Sequence, residues 1–282
     1  MTTPTITCYR HTDRRAGVTC QRCDRPICPD CMTQGSVGFH CPECVREAAK
    51  AAPVYNARTL PMAQPYVTYA LMAINIAAFV VDLALAGRIT TGTDVEPGRG
   101  VLFAYGVYAG EWWRLVTSGF LHYGFFHLGL NMFVLYRIGP QIEQLLGQVQ
   151  YLALYFAAMF AGALGALLLS PNSATAGASG AIFGLLGAAA AYQISNKVNI
   201  WQSGLGMLIA INLGITFLVP GISIGGHVGG MIGGGAVGWA MFELERRRHS
   251  PLLGIGIAVT LMVVCLATAV IAAPALVPAQ FR

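Results

Sequence analysis

The chain has 282 residues, of which 55% are hydrophobic and 10% charged, with a net charge of +5. A soluble domain carries roughly 25% charged residues, so this composition excludes a chain that mostly faces water and points to a bilayer instead. The positive balance is no argument for nucleic acid, which is not an expected partner, because basic residues flanking apolar helices serve as topology signals.

In chain order, a polar segment rich in Cys and Arg comes first, and an apolar stretch of bilayer length begins only near Tyr66. No cleavable signal peptide is expected, and the N-terminal segment is retained. The boundaries expected are a module over 1–48, a linker over 49–65 that contains Pro53, Pro61 and Pro65, a membrane core over 66–242, and a further helix and tail over 243–282.

Ligand-type residues in the first segment fall in pairs: Cys8/His11, Cys20/Cys23, Cys28/Cys31 and Cys41/Cys44. A two-residue gap lets one tight turn present both side chains to a single metal, and four pairs suffice for two tetrahedral Zn²⁺ sites. Close spacing favours a cross-brace, with pairs one and three on one ion and pairs two and four on the other, and His40 is an alternative to Cys41. Disulfides are disfavoured in a reducing cytoplasm, and four consecutive pairs exceed what a redox Cys-x-x-Cys needs. The module resembles B-box-type zinc fingers, which implies a protein partner of unspecified kind.

Seven apolar runs follow, at 66–86, 120–138, 149–169, 178–194, 201–219, 224–242 and 252–273. Each is long enough to cross roughly 30 Å of hydrocarbon as a helix. With the N-terminus inside, thirteen of the 17 Lys and Arg residues lie on the inner side and only Arg88, Arg99, Arg114 and Arg282 lie outside. The positive-inside rule therefore predicts a cytoplasmic N-terminus and an external C-terminus. The long segment from Gly87 to Gly119 contains Trp112 and Trp113, and indoles favour the membrane interface.

Polar residues are costly in apolar helices, and few occur here. His122, His127, Asn131, Ser179 and His227 lie in or at the ends of the runs. His127 and Asn131, spaced i, i+4, share a helix face and can aim donors at one spot. Ser179 stands at a helix start in Gly177-Ala178-Ser179-Gly180, where free N–H groups and the helix dipole favour negative charge, although taken alone it reads as an N-cap. Small residues recur every fourth position, at Gly180, Gly184 and Ala188 and at Gly226, Gly230, Gly234 and Gly238. Helices packed through such stripes would bring Ser179 and His227 to similar depth, as a nucleophile beside its base. Glu143, assigned to an inside loop, is the only acid between Trp112 and Met241, so the pair is a dyad rather than a triad. Phe183, one turn beyond Ser179, either packs on the imidazole or fills core.

Glu111-Trp112-Trp113-Arg114, then His122 with His127 and Asn131, then Gly177-Ala178-Ser179-Gly180, then His227 followed by Gly230 and Gly234, together resemble the ordered motif set of the rhomboid family over residues 66–242. The resemblance implies an all-α polytopic membrane fold with a six-helix core, to which this chain adds a seventh, C-terminal transmembrane helix of no assigned function. It implies a serine endopeptidase cleaving membrane-spanning substrates near the outer face, with no cofactor for catalysis. Ser179 would be the nucleophile and His227 the general base. His127, Asn131 and the Ser179 N–H would form the oxyanion hole, with Glu111 and Arg114 as anchors of the first loop and His122 in support. Gly226, where the family often has Ala, and Phe183, where some members have Tyr, depart from the pattern without removing a reacting group.

The partners expected are transmembrane substrates and lipid, in the plasma membrane of a bacterium. A transporter or channel, or a catalytically silent rhomboid-like binding protein, are the alternatives. A metalloprotease would need His-Glu-x-x-His, which is absent, and an aspartyl protease two membrane acids, of which only Asp82 qualifies.

Overall fold

The computed structural model describes residues 6–35, 38–51, 64–86 and 100–281. Most of the linker at 49–65, and the part of the first loop at 87–99, lie outside the described residues. The chain divides into two compact units, Met1–Met62 and Ala63–Arg282.

In the first unit two short antiparallel pairs, β1 (Val18–Thr19) with β2 (Pro26–Ile27) and β3 (Thr33–Gln34) with β4 (Phe39–His40), precede α1 (Pro42–Ala51). Among the described residues the buried centre consists of Cys8, Cys20, Cys28, Cys31, Cys41 and Cys44 with a single aliphatic residue, Ile27. So little apolar side chain cannot offset the entropy of ordering the segment, and domains of this size need a staple.

The second unit is helical. Its long elements are α2 (Tyr66–Ala86), α5 (Gly124–Leu146), α6 (Gln148–Leu169), α7 (Ser179–Ser195), α8 (Leu205–Leu218), α9 (Ile224–Arg246) and α10 (Pro251–Leu276). The first loop carries two short helices, α3 (Ala104–Tyr108) and α4 (Arg114–Thr117). Among the described residues three spans, Tyr66–Leu85, Gln148–Leu169 and Pro251–Leu276, suffice by length and composition to cross a bilayer, and α7 and α8 are shorter apolar helices. Large apolar side chains such as Ile74, Phe126, Leu218, Ile232 and Ile271 point outward, the arrangement expected where the surrounding solvent is lipid.

The second run was expected over 120–138 but α5 extends to Leu146, past Arg137 and through Pro140. Glu143, assigned to a loop, is thus inside a helix and 3% exposed. Its carboxylate accepts from the Val67 N–H (3.0 Å), the Thr68 N–H (2.8 Å) and the Thr68 hydroxyl (2.7 Å). The orphan donors at the start of α2 are satisfied by a charge of the sign the dipole favours, which accounts for a buried acid there.

α9 packs against both α6 and α7. Along the α7 side, a Cβ at Gly230 would run into the carbonyl of Gly180, one at Gly234 into the backbone of Gly184, and one at Gly238 into Ala188. A second small-residue face, unnoticed in the sequence, packs on α6: a Cβ at Gly229 would stand 2.7 Å from the Ala161 carbonyl oxygen, and one at Gly225 would collide with Gly165. Backbones approach this closely only where side chains are missing. Gly230→Ala should therefore cost about 1–3 kcal/mol and lower the melting temperature in detergent. Gly214→Ala on α8, where nothing lies within 4 Å, should leave it unchanged.

Candidate active site

The chain before α7 is held by the first loop. Leu102 and Thr175 exchange backbone hydrogen bonds at 2.9 and 2.8 Å, the Ala104 N–H donates to Pro171, and the Gly177 N–H donates to Ser118 (2.9 Å). The loop is anchored in turn by Arg114, 4% exposed, whose Nε donates to Glu111 (2.6 Å), whose Nη1 donates to the Val101 carbonyl (2.8 Å), and whose guanidinium lies over the Phe103 ring. Glu111 and Arg114 are thus joined, and removing Glu111 leaves the buried Arg114 charge without its carboxylate.

Ser179 is the first residue of α7, after Ala178 as the capping residue, so its hydroxyl is not the helix cap. Its Oγ lies 2.7 Å from His227 Nε2. Phe183, one turn on, stacks on the imidazole with ring centroids 4.1 Å apart and planes at 14°, and does more than fill core. α9 begins beside the site because Ser223 caps it, accepting from the Gly226 N–H at 3.0 Å.

Gly177 has φ +133°, in the region that favours glycine, and a Cβ there would sit 2.8 Å from His127 Cε1 and Nε2 and 3.5 Å from Ser179 Oγ. His127 Nε2 and Ser179 Oγ thus bracket one spot. His127 Nδ1 accepts from the Tyr123 N–H (3.3 Å), which leaves the ring proton on Nε2, facing that spot. Asn131, 6% exposed, donates one amide hydrogen to the His127 carbonyl (2.8 Å). His122 points elsewhere, to the turn before Ser179, where Nε2 accepts from the Ala178 N–H (3.4 Å) and Nδ1 donates to the Phe120 carbonyl (3.3 Å).

One partner was missed in the sequence. Thr216 on α8, 2% exposed, places its hydroxyl oxygen 2.6 Å from His227 Nδ1. The available signal was a polar pair, Asn212 and Thr216, one turn apart in an otherwise apolar run.

In the first unit two clusters form: Cys8, His11, Cys28 and Cys31, and Cys20, Cys23, Cys41 and Cys44, each with ligand atoms within 4.8 Å of one another. His40 belongs to neither. Cys28 and Cys31 sulfurs lie 3.4 Å from His11 Nδ1, and Cys23 lies 3.7 Å from Cys41. A zinc tetrahedron with 2.3 Å bonds to sulfur has edges of about 3.8 Å, so the sets fit such an ion, while a disulfide would need about 2.05 Å. Backbone N–H groups of Cys41 and Cys44 donate to the Cys20 and Cys41 sulfurs (3.2 and 3.4 Å), the outer-shell support that thiolate ligands receive.

Burial opposes the Cys8 and Cys20 thiolates, yet backbone hydrogen bonds, led by those from Cys28 and Cys41 respectively, bring the thiols down to about 6 and about 5. Burial and neighbouring sulfurs push Cys31 and Cys44 up to about 11 and about 12. Each cluster accepts a first thiolate and resists the last, a conflict that a divalent cation removes.

Residues 109–244 match the family described as Rhomboid domain. Rhomboid protease GluP of Bacillus subtilis is 38% identical over 176 residues, 61% of this chain and 34% of that protein. YdcA of the same organism is 29% identical over 198 residues, 69% of this chain and 97% of that protein. Rhomboid-like protease 1 of Toxoplasma gondii is 28% identical over 234 residues, 68% of this chain and 78% of that protein. The chain therefore spans about a third of GluP's length and nearly all of YdcA's. With its apolar helices, this is an integral membrane protein whose residues 109–244 match the Rhomboid domain family.

Proposed function

We propose that the chain is an intramembrane serine endopeptidase that cleaves membrane-spanning proteins near the outer face. The observation that carries the reading is the 2.7 Å contact between Ser179 Oγ and His227 Nε2. A serine hydroxyl is a weak nucleophile until a base takes its proton, and here the base is already in hydrogen-bond reach.

In the proposed reaction, Oγ attacks the scissile carbonyl carbon as its proton passes to His227 Nε2. The oxyanion meets the Nε2–H of His127, the second amide hydrogen of Asn131 and the Ser179 N–H, each donor worth on the order of 10²–10³ in rate. His227 then returns the proton to the leaving amine, and water, activated by the same imidazole, hydrolyses the acyl-enzyme. Phe183 holds the ring plane, His122 and Gly177 shape the turn before Ser179, and Glu111 with Arg114 hold the loop against it. The rhomboid proteases among the relatives support this activity, and the placement of basic residues supports a cytoplasmic N-terminus and an external C-terminus. Substrates would be helices that unwind easily near that face, with small residues at the cut.

The N-terminal module would bind two structural Zn²⁺ ions, one held by Cys8, His11, Cys28 and Cys31 and the other by Cys20, Cys23, Cys41 and Cys44. Four protein ligands per ion leave no open position, so the metal would supply folding energy rather than chemistry. A protein partner for this B-box-like module is the corresponding expectation.

Purified protein in detergent should cleave a model single-span substrate and react with a fluorophosphonate, with the label recovered on the peptide containing Ser179. A protein that cuts nothing and takes no label on Ser179 would sink the reading.

A further inference from the structure

We propose that Thr216 is a positioning residue that sets the tautomer of His227, in the place where serine-protease triads use a carboxylate. The inference rests on the protease reading for its consequence, though not for its geometry. The Thr216 hydroxyl oxygen lies 2.6 Å from His227 Nδ1 and 2.7 Å from the carbonyl oxygen of Asn212, one turn earlier on α8. A hydroxyl has one hydrogen and a carbonyl oxygen can only accept, so the contact with Asn212 commits that hydrogen. Toward the imidazole, the Thr216 oxygen is left as an acceptor.

Nδ1 therefore carries the ring proton, and in a neutral imidazole Nε2 then holds a lone pair. That lone pair faces Ser179 Oγ at 2.7 Å, which is the state a general base requires. In the opposite tautomer Nε2 would be a donor, and the serine proton would have nowhere to go. The same acceptor still serves Nδ1–H after the ring becomes an imidazolium, and its dipole is aligned by the Asn212 carbonyl behind it.

The choice of a hydroxyl also follows from the surroundings. Thr216 and His227 are 2% and 7% exposed, in an apolar helical bundle. A carboxylate there would carry a large desolvation cost, whereas a threonine that donates to its own helix orients the ring without a buried charge. The dyad inferred from the missing acid thus becomes a hydrogen-bonded chain of four residues, from Asn212 C=O through Thr216 and His227 to Ser179.

Two measurements test this. The ¹⁵N spectrum of histidine-labelled wild type in micelles should show His227 with a protonated Nδ1 and an unprotonated Nε2, and Thr216→Val should convert this to a mixture of tautomers. In cleavage assays Thr216→Val should lower kcat about tenfold, the scale of one buried hydrogen bond, with KM unchanged, and Thr216→Ser should restore most of the rate. Wild-type His227 protonated on Nε2, or a Thr216→Val protein with wild-type kcat and an unchanged spectrum, would overturn the proposal. If wild type cuts nothing and Ser179 takes no label, the protease reading has failed, and the wild-type ring spectrum alone still decides the role of Thr216.

Discussion

Ser179→Ala is expected to reduce kcat for a single-span substrate by on the order of 10⁶, and His227→Ala by a comparable factor. The double variant should be no worse than either alone, because the two groups act in one proton transfer and removing one leaves the other nothing to do. Cleavage rates of the three variants, compared with their melting temperatures, check this. Additive losses would mean that the 2.7 Å contact is not the reacting pair. The oxyanion donors act separately from that transfer, so His127→Ala and Asn131→Ala should each cost on the order of 10²–10³, visible only in a protein that retains Ser179 and His227.

Removal of zinc is the second large effect. The first unit buries six cysteines and one isoleucine at its centre, so the metal would supply most of its folding free energy, about 10–16 kcal/mol per site by analogy with zinc-finger peptides. A strong chelator should release two zinc ions per chain and abolish amide-exchange protection over residues 6–51, while exchange in α5 to α10 stays as it was. Cys20→Ser should lower the zinc content to one per chain. Acid should act in the same direction. The Cys8 and Cys20 thiols are held down to about 6 and about 5, from an ordinary 9.0. Cys31 and Cys44 are pushed the other way, so release is set by protons competing with the ion for all of the thiolates, and zinc is lost as pH falls. Zinc release monitored from pH 8 to pH 4 gives the sign. A module whose exchange is unchanged without metal would refute the zinc assignment.

Much of the fold was legible in the chain because it depends on short-range pattern. The seven apolar runs each overlap one of the helices α2 and α5 to α10, although α8, with 14 residues, is shorter than the run expected over 201–219. Their ends were less legible: the second apolar run closes at 138, yet α5 continues to Leu146 and so carries Glu143 to the start of α2. The glycine stripe at Gly226, Gly230, Gly234 and Gly238 was visible as a period of four. The neighbouring face at Gly225 and Gly229 was masked by the same abundance of glycine, and only the close approach of α6 reveals it.

The candidate site divides along the same line. Ser179 and His227 stood out by residue type, position and neighbouring glycines, and the paired spacing of Cys8, His11 and the other cysteines pointed to the two clusters that the fold assembles. Those features are local, since a two-residue gap or a period of four is set by backbone geometry alone. What the tertiary structure decided is which atoms face each other: His127 aimed at the Ser179 spot, His122 at Ala178, Phe183 on the imidazole, and Thr216 on Nδ1. Such pairings depend on the rotation and vertical register of one helix against another, which arise from packing over whole helix faces and leave no mark in the spacing of any single segment. A Ser and a His therefore suggest the proposed chemistry from the sequence, while the proposed direction of the proton between them rests on the threonine that α8 brings against α9.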